Sequence, residues 1–248
     1  MLGKVDYDVA ISTGAALALA VLPVARASGR RAVYIESISR FDGPSFTGRT
    51  LSRIPGISLY TQHSAWSSRR WKSGPSVLSE FSVGLDGRRV DAERLRVFVT
   101  LGTIKPYRFK SLVEKVIEIL PASAEITWQL GETAEAHLPG DCHSQVSAEE
   151  FDQYIRESDV VISHAGVGST IRIMELGKLP VLVPRRRVRN EHVDDHQVQV
   201  ARELGRLGLV EYVEVSDLTL PVLLRAASRV VKTVRSDSAP AQNRSNQR

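Results

Sequence analysis

The chain is predicted to be an α/β protein built on doubly wound parallel sheets, and three observations carry that expectation. Short apolar runs alternate with segments whose apolar residues recur at helical spacing, the pattern of repeated βα units. The strongest runs, VFVT at 97–100 and VVIS at 160–163, are almost wholly apolar, as parallel strands covered on both faces require. The turns after them, LGT at 101–103 and HAGVGST at 164–170, are rich in glycine and hydroxyl side chains.

Taken in order, DVAIS (8–12) reads as a strand and 15–27 as a helix closed by Gly29. AVYIES (32–37) is the next strand, SISRFDGPSFTGRTL (37–51) a loop, and ISLYTQ (57–62) a further strand. Residues 84–94, GLDGRRVDAER, are charged and nearly free of apolar side chains, which marks a linker. A second alternation begins at RVFVTLGT (96–103). Pro106 is expected to open a helix with Phe109, Leu112, Val113, Val116 and Leu120 on one face. EITWQLG (125–131) is a strand and 148–158 a helix with Ser147 as its N-cap. The strand DVVISHAG (159–166) leads into a helix over 169–178, and PVLVP (180–184) into a helix over 194–207. A strand near 210–215 and a helix near 217–234 close the pattern.

Composition narrows the function classes. Hydrophobic residues make up 42% and charged residues 25% of the 248, ordinary for a globular protein. The net charge of +5 suits an anionic partner without choosing one. No nucleic-acid recognition motif is visible, so nucleic acid is not expected as a partner. The single cysteine, Cys142, excludes a disulfide framework and a cysteine-built zinc site and fits a reducing compartment. AALALAVLPVA (15–25) is too short to span a bilayer and contains Pro23, so it reads as a core helix.

Three stretches carry chemistry. In a doubly wound sheet, ligands sit beyond the carboxyl ends of the strands. There the loop after VVIS holds His164, Gly166, Gly168, Ser169 and Thr170. A helix N-terminus presents free N–H groups and partial positive charge, glycines admit close backbone approach, and the hydroxyls and imidazole add donors. The other reading is a tight βα turn with Ser or Thr caps. PRRRVRNEHVDDHQ (184–197) should open on the same edge. Its Arg185, Arg186, Arg187 and Arg189 suit a diphosphate, and Asp195, His196 and Gln197 suit ligand hydroxyls. A solvated charged loop and a metal site on His192 and His196 are the alternatives, but HEXXH is absent. Gly102 and Thr103 stand where a phosphate loop would, without GxGxxG or GxxxxGK[ST].

These residues together resemble the C-terminal donor-sugar domain of family 28 glycosyltransferases of the GT-B type. The resemblance is strongest to the catalytic subunit of the two-part UDP-N-acetylglucosamine transferase of the dolichol pathway and to bacterial exopolysaccharide homologues. It rests on VFVTLGT, WQLG, SDVVISHAGVGS, ELGKLPVLVPRR and EHVDDHQ, in order over about 95–210. The N-terminal part resembles the acceptor-binding subunit of the same enzyme through STG (12–14), IES (35–37), SR (39–40) and PSFTGR (44–49). The resemblance therefore implies two Rossmann-like units: a partial acceptor-binding domain over 1–84, a linker over 85–94, a UDP-sugar domain over 95–234 and a disordered tail over 235–248. The N-terminal unit is expected to be incomplete, since its resemblance begins mid-domain.

The implied reaction is inverting, metal-independent transfer of a hexose or N-acetylhexosamine from a UDP-sugar to a polyprenyl-pyrophosphate-linked sugar. No cofactor is implied, and there is no Asp-x-Asp motif. Gly102, Thr103, His164, Gly166, Gly168, Ser169, Thr170, Arg185, Asp195, His196 and Gln197 are expected to bind the donor. The family's ribose-binding glutamate is replaced by Arg172, which leaves Glu175, one turn on, for the ribose or as a solvated residue. Glu36 is the candidate base, with a salt bridge to Arg40 as its alternative. Arg40, Ser45, Thr47 and Arg49 suit the acceptor pyrophosphate, or else loop structure and capping. A partner chain or homo-oligomer is expected, and a cytoplasmic location with peripheral membrane contact through Trp66, Arg69, Arg70 and Trp71, the tryptophans otherwise being core. A non-catalytic accessory subunit is the competing reading.

Overall fold

The computed structural model describes residues 6–88, 90–133, 137–191 and 196–234, with the side chain of His196 outside that set. The chain divides into two units, one ending at Leu78 and one beginning at Ser79.

The first unit is a four-stranded parallel sheet in the order β1 (Val9–Ser12), β2 (Arg31–Ile35), β3 (Ile57–Thr61), β4 (Trp71–Ser73). Helix α1 (Ala18–Ala27) joins β1 to β2, and α2 (Phe46–Leu51) precedes β3. Burial alternates along β2 and β3. Ala32, Tyr34, Ile57 and Leu59 pack with Ala18 and Leu22 of α1, Leu51 of α2 and Trp71. This is the signature of a sheet with one well-covered face. Pro23 lies inside α1, and the helix closes where Gly29, at φ +76°, lets Arg30 N–H reach Ala25 O. Among the described residues β1 pairs with β2 alone, and Ile11 on this edge strand is 60% exposed. Leu17 and Val24, one heptad apart beside and on α1, are exposed too.

The second unit holds a six-stranded parallel sheet: β6 (Arg96–Thr100), β7 (Glu125–Gln129), β8 (Asp141–His143), β9 (Val160–Ser163), β10 (Val181–Leu182) and β11 (Glu211–Tyr212). Their spatial order is β11-β10-β9-β6-β7-β8. Counted from β6, this is the doubly wound order 3-2-1-4-5-6, in which the winding reverses between the first and fourth strands. The connecting helices are α3 (Lys110–Ile119), α4 (Ala148–Glu157), α5 (Val167–Glu175) and α6 (His196–Arg206), with α7 (Leu220–Ala227) after β11. Strand β9 is buried at every position and β6 at all but its first, as the apolar runs predict. Helix α4 begins with the expected Ser147 cap, which forms a reciprocal capping box with Glu150.

Several expectations are corrected. The helix expected over 217–234 is α7 followed by strand β12 (Arg229–Thr233), whose β-branched side chains favour extended backbone. β12 pairs antiparallel with β5 (Phe81–Leu85). That pairing draws Phe81–Leu85 into the second unit, so the division falls at Leu78–Ser79 and not within the charged segment. Helix α3 starts at Lys110, not at Pro106, although Leu112, Val113 and Val116 form the buried face as expected. Helix α2 lies in what reads as a loop, and β4 and β8 are three-residue strands that carry no periodicity. The expected tail over 235–248 lies outside the described residues. No helix among those described is long and apolar enough to cross a membrane.

Candidate functional site

The reversal between β6 and β9 leaves a crevice at their carboxyl ends, and the two glycine-bearing turns meet there. Thr100 is in register with Ser163 on one side and Gln129 on the other. His164 follows directly, buried, with its backbone N–H and its Nδ1 both directed at Thr100 O, at 3.2 and 3.3 Å. Its ring lies between the two turns: a Cβ on Gly102 would fall 2.6 Å from Cε1 and Nε2, and one on Gly166 2.6 Å from Nε2. Gly102 also has φ +72°. Glycine is thus required at both positions for the imidazole to lie where it does.

Helix α5 starts at Val167 with Gly166 as N-cap, no side-chain cap and no acid in its first turn. Its first amide to close a helical bond is Thr170 N–H, on Gly166 O at 2.9 Å. The N–H groups of Val167, Gly168 and Ser169 precede it and are the orphan donors that make a helix start attract an anion. Gly168 is exposed with open space where a Cβ would stand, and Ser169 is half-buried. Thr170 departs from expectation. Its buried hydroxyl donates to Gly166 O at 2.8 Å, so it braces the turn and does not face a ligand. Thr103 is exposed beside Gly102.

Arg185 is a second correction. It is fully buried, and its guanidinium donates to the carbonyls of Leu101 (2.5 Å), Tyr107 (3.1 Å) and Glu191 (3.1 Å). Burial pushes its pKa down to about 10, opposed by the nearby Glu191. A group so enclosed does not reach a diphosphate. Arg186 is held by Glu214 at 2.8 Å, whereas Arg187 and Arg189 are exposed. Gln197, in the first turn of α6, accepts the Arg185 backbone N–H on Oε1 at 3.2 Å, which leaves its amide NH2 for other partners. Asp195 lies outside the described residues, as do His192 and the His196 side chain.

Glu175 ends α5, roughly 12 Å along the axis from its first turn at about 1.5 Å per residue. It pairs with Arg172 at 2.9 Å, and Arg172 also grips Asp152 on α4. The Arg172 guanidinium holds the Asp152 carboxyl below its usual range. A ribose next to phosphates at the helix start is out of reach of Glu175, so that expectation is not met.

Residues missed in the sequence line the same edge. Thr100 Oγ1 donates to Gln129 Oε1 at 2.7 Å, and Ser163 Oγ is buried without a hydrogen-bond partner. Gly131, at φ +57°, packs its Cα against the carbonyl of Gly102. The available signal was a polar residue closing each of three apolar strands in one register.

In the first unit, Glu36 is 2% exposed. Its Oε1 accepts Tyr34 Oη–H (3.1 Å) and Ser37 N–H (3.1 Å), and its Oε2 accepts Ser45 N–H (2.9 Å) and Ser45 Oγ–H (3.0 Å). Gly48 gives this carboxylate room, since a Cβ there would collide with Oε2. Glu36 therefore clamps the loop before α2. It is neither exposed as a base nor bridged to Arg40. Ser45 is the N-cap of α2, accepting Gly48 N–H at 3.0 Å, so capping is its role. Thr47 and Arg40 are half-buried and Arg49 is exposed. The membrane-facing expectation fails for three residues. Trp71 is core, stacked edge-on against Tyr34 and Trp66. Trp66 Nε1 donates to Arg40 O, and Arg70 donates to the carbonyls of Leu51, Ser52, Ile54 and Ile57. Only Arg69 of that group is free on the surface. Among the described residues no group of three His, Cys, Asp or Glu side chains is placed to hold a metal ion.

Fold and site define a doubly wound α/β domain with an anion-ready helix start at its switch point. The chain belongs to glycosyltransferase family 28: the C-terminal domain of that family matches residues 96–245. It is similar to the UDP-N-acetylglucosamine transferase subunit ALG13 of Debaryomyces hansenii, 35% identical over 82 residues, 33% of this chain and 37% of that one. It is 24% identical over 221 residues to the Flavobacterium psychrophilum UDP-N-acetylglucosamine–N-acetylmuramyl-(pentapeptide) pyrophosphoryl-undecaprenol N-acetylglucosamine transferase, 82% of this chain and 59% of that one. Among solved structures, Acinetobacter baumannii MurG shares the fold at a TM-score of 0.55 and 21% identity, over 88% of this chain and 63% of that one. The calicheamicin glycosyltransferase CalG4 shares it at 0.53 and 13% identity, over 89% and 66%. The chain thus spans less than two thirds of the length of these curated relatives.

Proposed function

We propose that this chain transfers a hexose or N-acetylhexosamine from a UDP-sugar to a polyprenyl-pyrophosphate-linked sugar in exopolysaccharide or glycan assembly. The carrying observation is the uncapped start of α5 at the switch point, with Gly102 and Gly166 closed around His164. The family and the UDP-N-acetylglucosamine transferases named above support the donor class.

In this reading the acceptor hydroxyl oxygen bonds to the anomeric carbon from the face opposite the leaving group, with inversion. The bond from that carbon to the UDP oxygen breaks, and UDP departs with the electron pair. Without a metal, the departing diphosphate is stabilised by the protein, with the orphan N–H groups of Val167, Gly168 and Ser169 on its α-phosphate side and the Gly102–Thr103 backbone on its β-phosphate side, where the charge develops. The Gln197 amide, with Asp195 and His196, meets the donor sugar. The acceptor proton needs a base other than Glu36, whose oxygens are committed. Arg40 and Arg49 suit the acceptor pyrophosphate, and the transfer would take place at the cytoplasmic membrane face.

The commitment of Glu36 favours a second reading, an accessory donor-binding chain that needs another chain for turnover. The open edge of β1 and the exposed Ile11 support a partner chain or second copy in either case.

The test is UDP binding by calorimetry, with Gly168→Asp beside the wild type. Nothing stands within 4 Å of a Cβ there, so the variant adds negative charge without a clash. Wild-type binding weakened about tenfold or more, at least 1.4 kcal/mol, supports the donor site. A folded wild type that ignores UDP removes it.

A further inference from the structure

We infer that Arg185 is a positioning residue that holds the diphosphate turn and the sugar-facing turn of the donor site at a fixed separation. The inference rests on the donor-site reading above and departs from the expectation that this arginine touches the ligand.

One buried guanidinium joins segments far apart in sequence. Its Nη2 bonds Leu101 O, the residue directly before Gly102. Its Nη1 is shared between Tyr107 O, in the same connection after β6, and Glu191 O, in the connection after β10. The guanidinium carbon lies 5.3 Å from the centre of the Phe109 ring, which closes one side. Through its backbone N–H the same residue fixes Gln197 Oε1, and so decides which end of that side chain is left to donate. Leu101, Tyr107, Glu191 and Gln197 thus converge on one side chain and its own amide.

All three acceptors on the guanidinium are neutral carbonyls, and Nε is buried without a hydrogen-bond partner. Burying a cation on such terms is costly, and stability alone is poorly served by it. An arginine offers what an apolar residue cannot: a planar fork that fixes three backbone oxygens at once. Lysine supplies the charge without the fork. The orphan amides of α5 make no bond to Arg185, so the strut reaches the α-phosphate side of the site only indirectly, through the His164 ring, while the Gly102 turn and Gln197 are held by it directly.

The test compares wild type, Arg185→Lys and Arg185→Ala for UDP and UMP binding by calorimetry, with thermal unfolding of each ligand-free protein. Arg185→Lys should lose about tenfold in UDP affinity and change by less than about twofold for UMP. Millimolar methylguanidinium should restore UDP binding to folded Arg185→Ala. Equal losses for UDP and UMP, or losses that only track a lowered unfolding temperature, make the residue a general structural one and overturn the inference. Wild-type UDP binding that Arg185→Lys leaves unchanged overturns it alone. A wild type that does not bind UDP overturns the donor reading and this inference with it.

Discussion

The imidazole of His164 occupies the space that a side chain on Gly102 would need, at 2.6 Å from its Cβ position. Gly166 faces the same nitrogen at the same distance. Both turns are therefore moulded on one ring. Gly166→Ala keeps an allowed backbone (φ −70°) and clashes only with that ring, whereas Gly102→Ala adds the strain of a positive φ. Each should weaken UDP binding, and Gly102→Ala should in addition lower stability by about 1–3 kcal/mol through that strain. His164→Ala combined with Gly166→Ala should cost less than the sum, because the clash partner is gone. Strict additivity in calorimetry would show that the ring does not set the two turns.

The two hydroxyls of the α5 start are predicted to differ. Thr170→Val removes a hydroxyl that only braces Gly166 O and should leave UDP affinity within about threefold, at a stability cost near 1 kcal/mol. Ser169→Ala removes a hydroxyl in the first turn and should weaken UDP binding by about 1 kcal/mol while leaving stability unchanged. Reversed outcomes in parallel binding and melting experiments would exchange the two roles.

Glu36→Gln separates a clamp from a base. A glutamine has one accepting oxygen where the carboxylate has two, so either the Ser45 donors or the Tyr34 and Ser37 donors face its NH2 and lose their acceptor. The expected cost is about 1–3 kcal/mol, read as a lower midpoint for the first unit in denaturant melts. Once an active assay exists, kcat should fall by far less than the loss of a general base, about 100-fold or more, would demand. A collapse of kcat with an unchanged midpoint would restore Glu36 as the base.

Stability should fall in acid partly through Asp159. Burial raises its pKa, but the Arg96 guanidinium and backbone N–H, at 2.9–3.2 Å, outweigh that and leave it below the usual value. A depressed carboxylate contributes stability that is present above the unfolded-state pKa, about 3.9, and is lost as pH falls through the folded-state value. Asp159→Asn should cost about 1 kcal/mol at neutral pH and flatten the wild-type decline below about pH 4. Parallel declines in both proteins would assign the acid sensitivity to other carboxylates.

The second unit is legible because its strands are unambiguous. Val97–Thr100 and Val160–Ser163 are buried on both faces, and a run buried on both faces shows in sequence as an apolar block. The glycines of the site are legible for a related reason, since each stands where a strand ends. What escapes is decided by contacts distant in sequence. Arg185 looks like one cation among four, and only Leu101 and Tyr107, roughly 80 positions earlier, distinguish it as a strut. Glu36 is legible as unusual, but the two hydrogen bonds that commit its Oε2 come from Ser45 across a loop. Strand β12 follows α7 with only Ser228 between, and its partner lies at Phe81–Leu85, so local periodicity cannot separate the two. Short elements such as α2 and β4 complete too little of a period to register.

Trp66 and Trp71 share the core of the first unit, while Trp128, fully buried in β7 with Nε1 on Pro139 O, is the only tryptophan of the second. The chain's intrinsic fluorescence is therefore divided between the units. A protein carrying Trp66→Phe and Trp71→Phe would emit from Trp128 alone, one residue from Gln129 at the switch-point edge. Its emission would follow the unfolding of the second unit without contribution from the first, and a dye on the single exposed thiol, Cys142, which is paired with Trp128 across β7 and β8, would quench that emission for as long as the two strands stay paired.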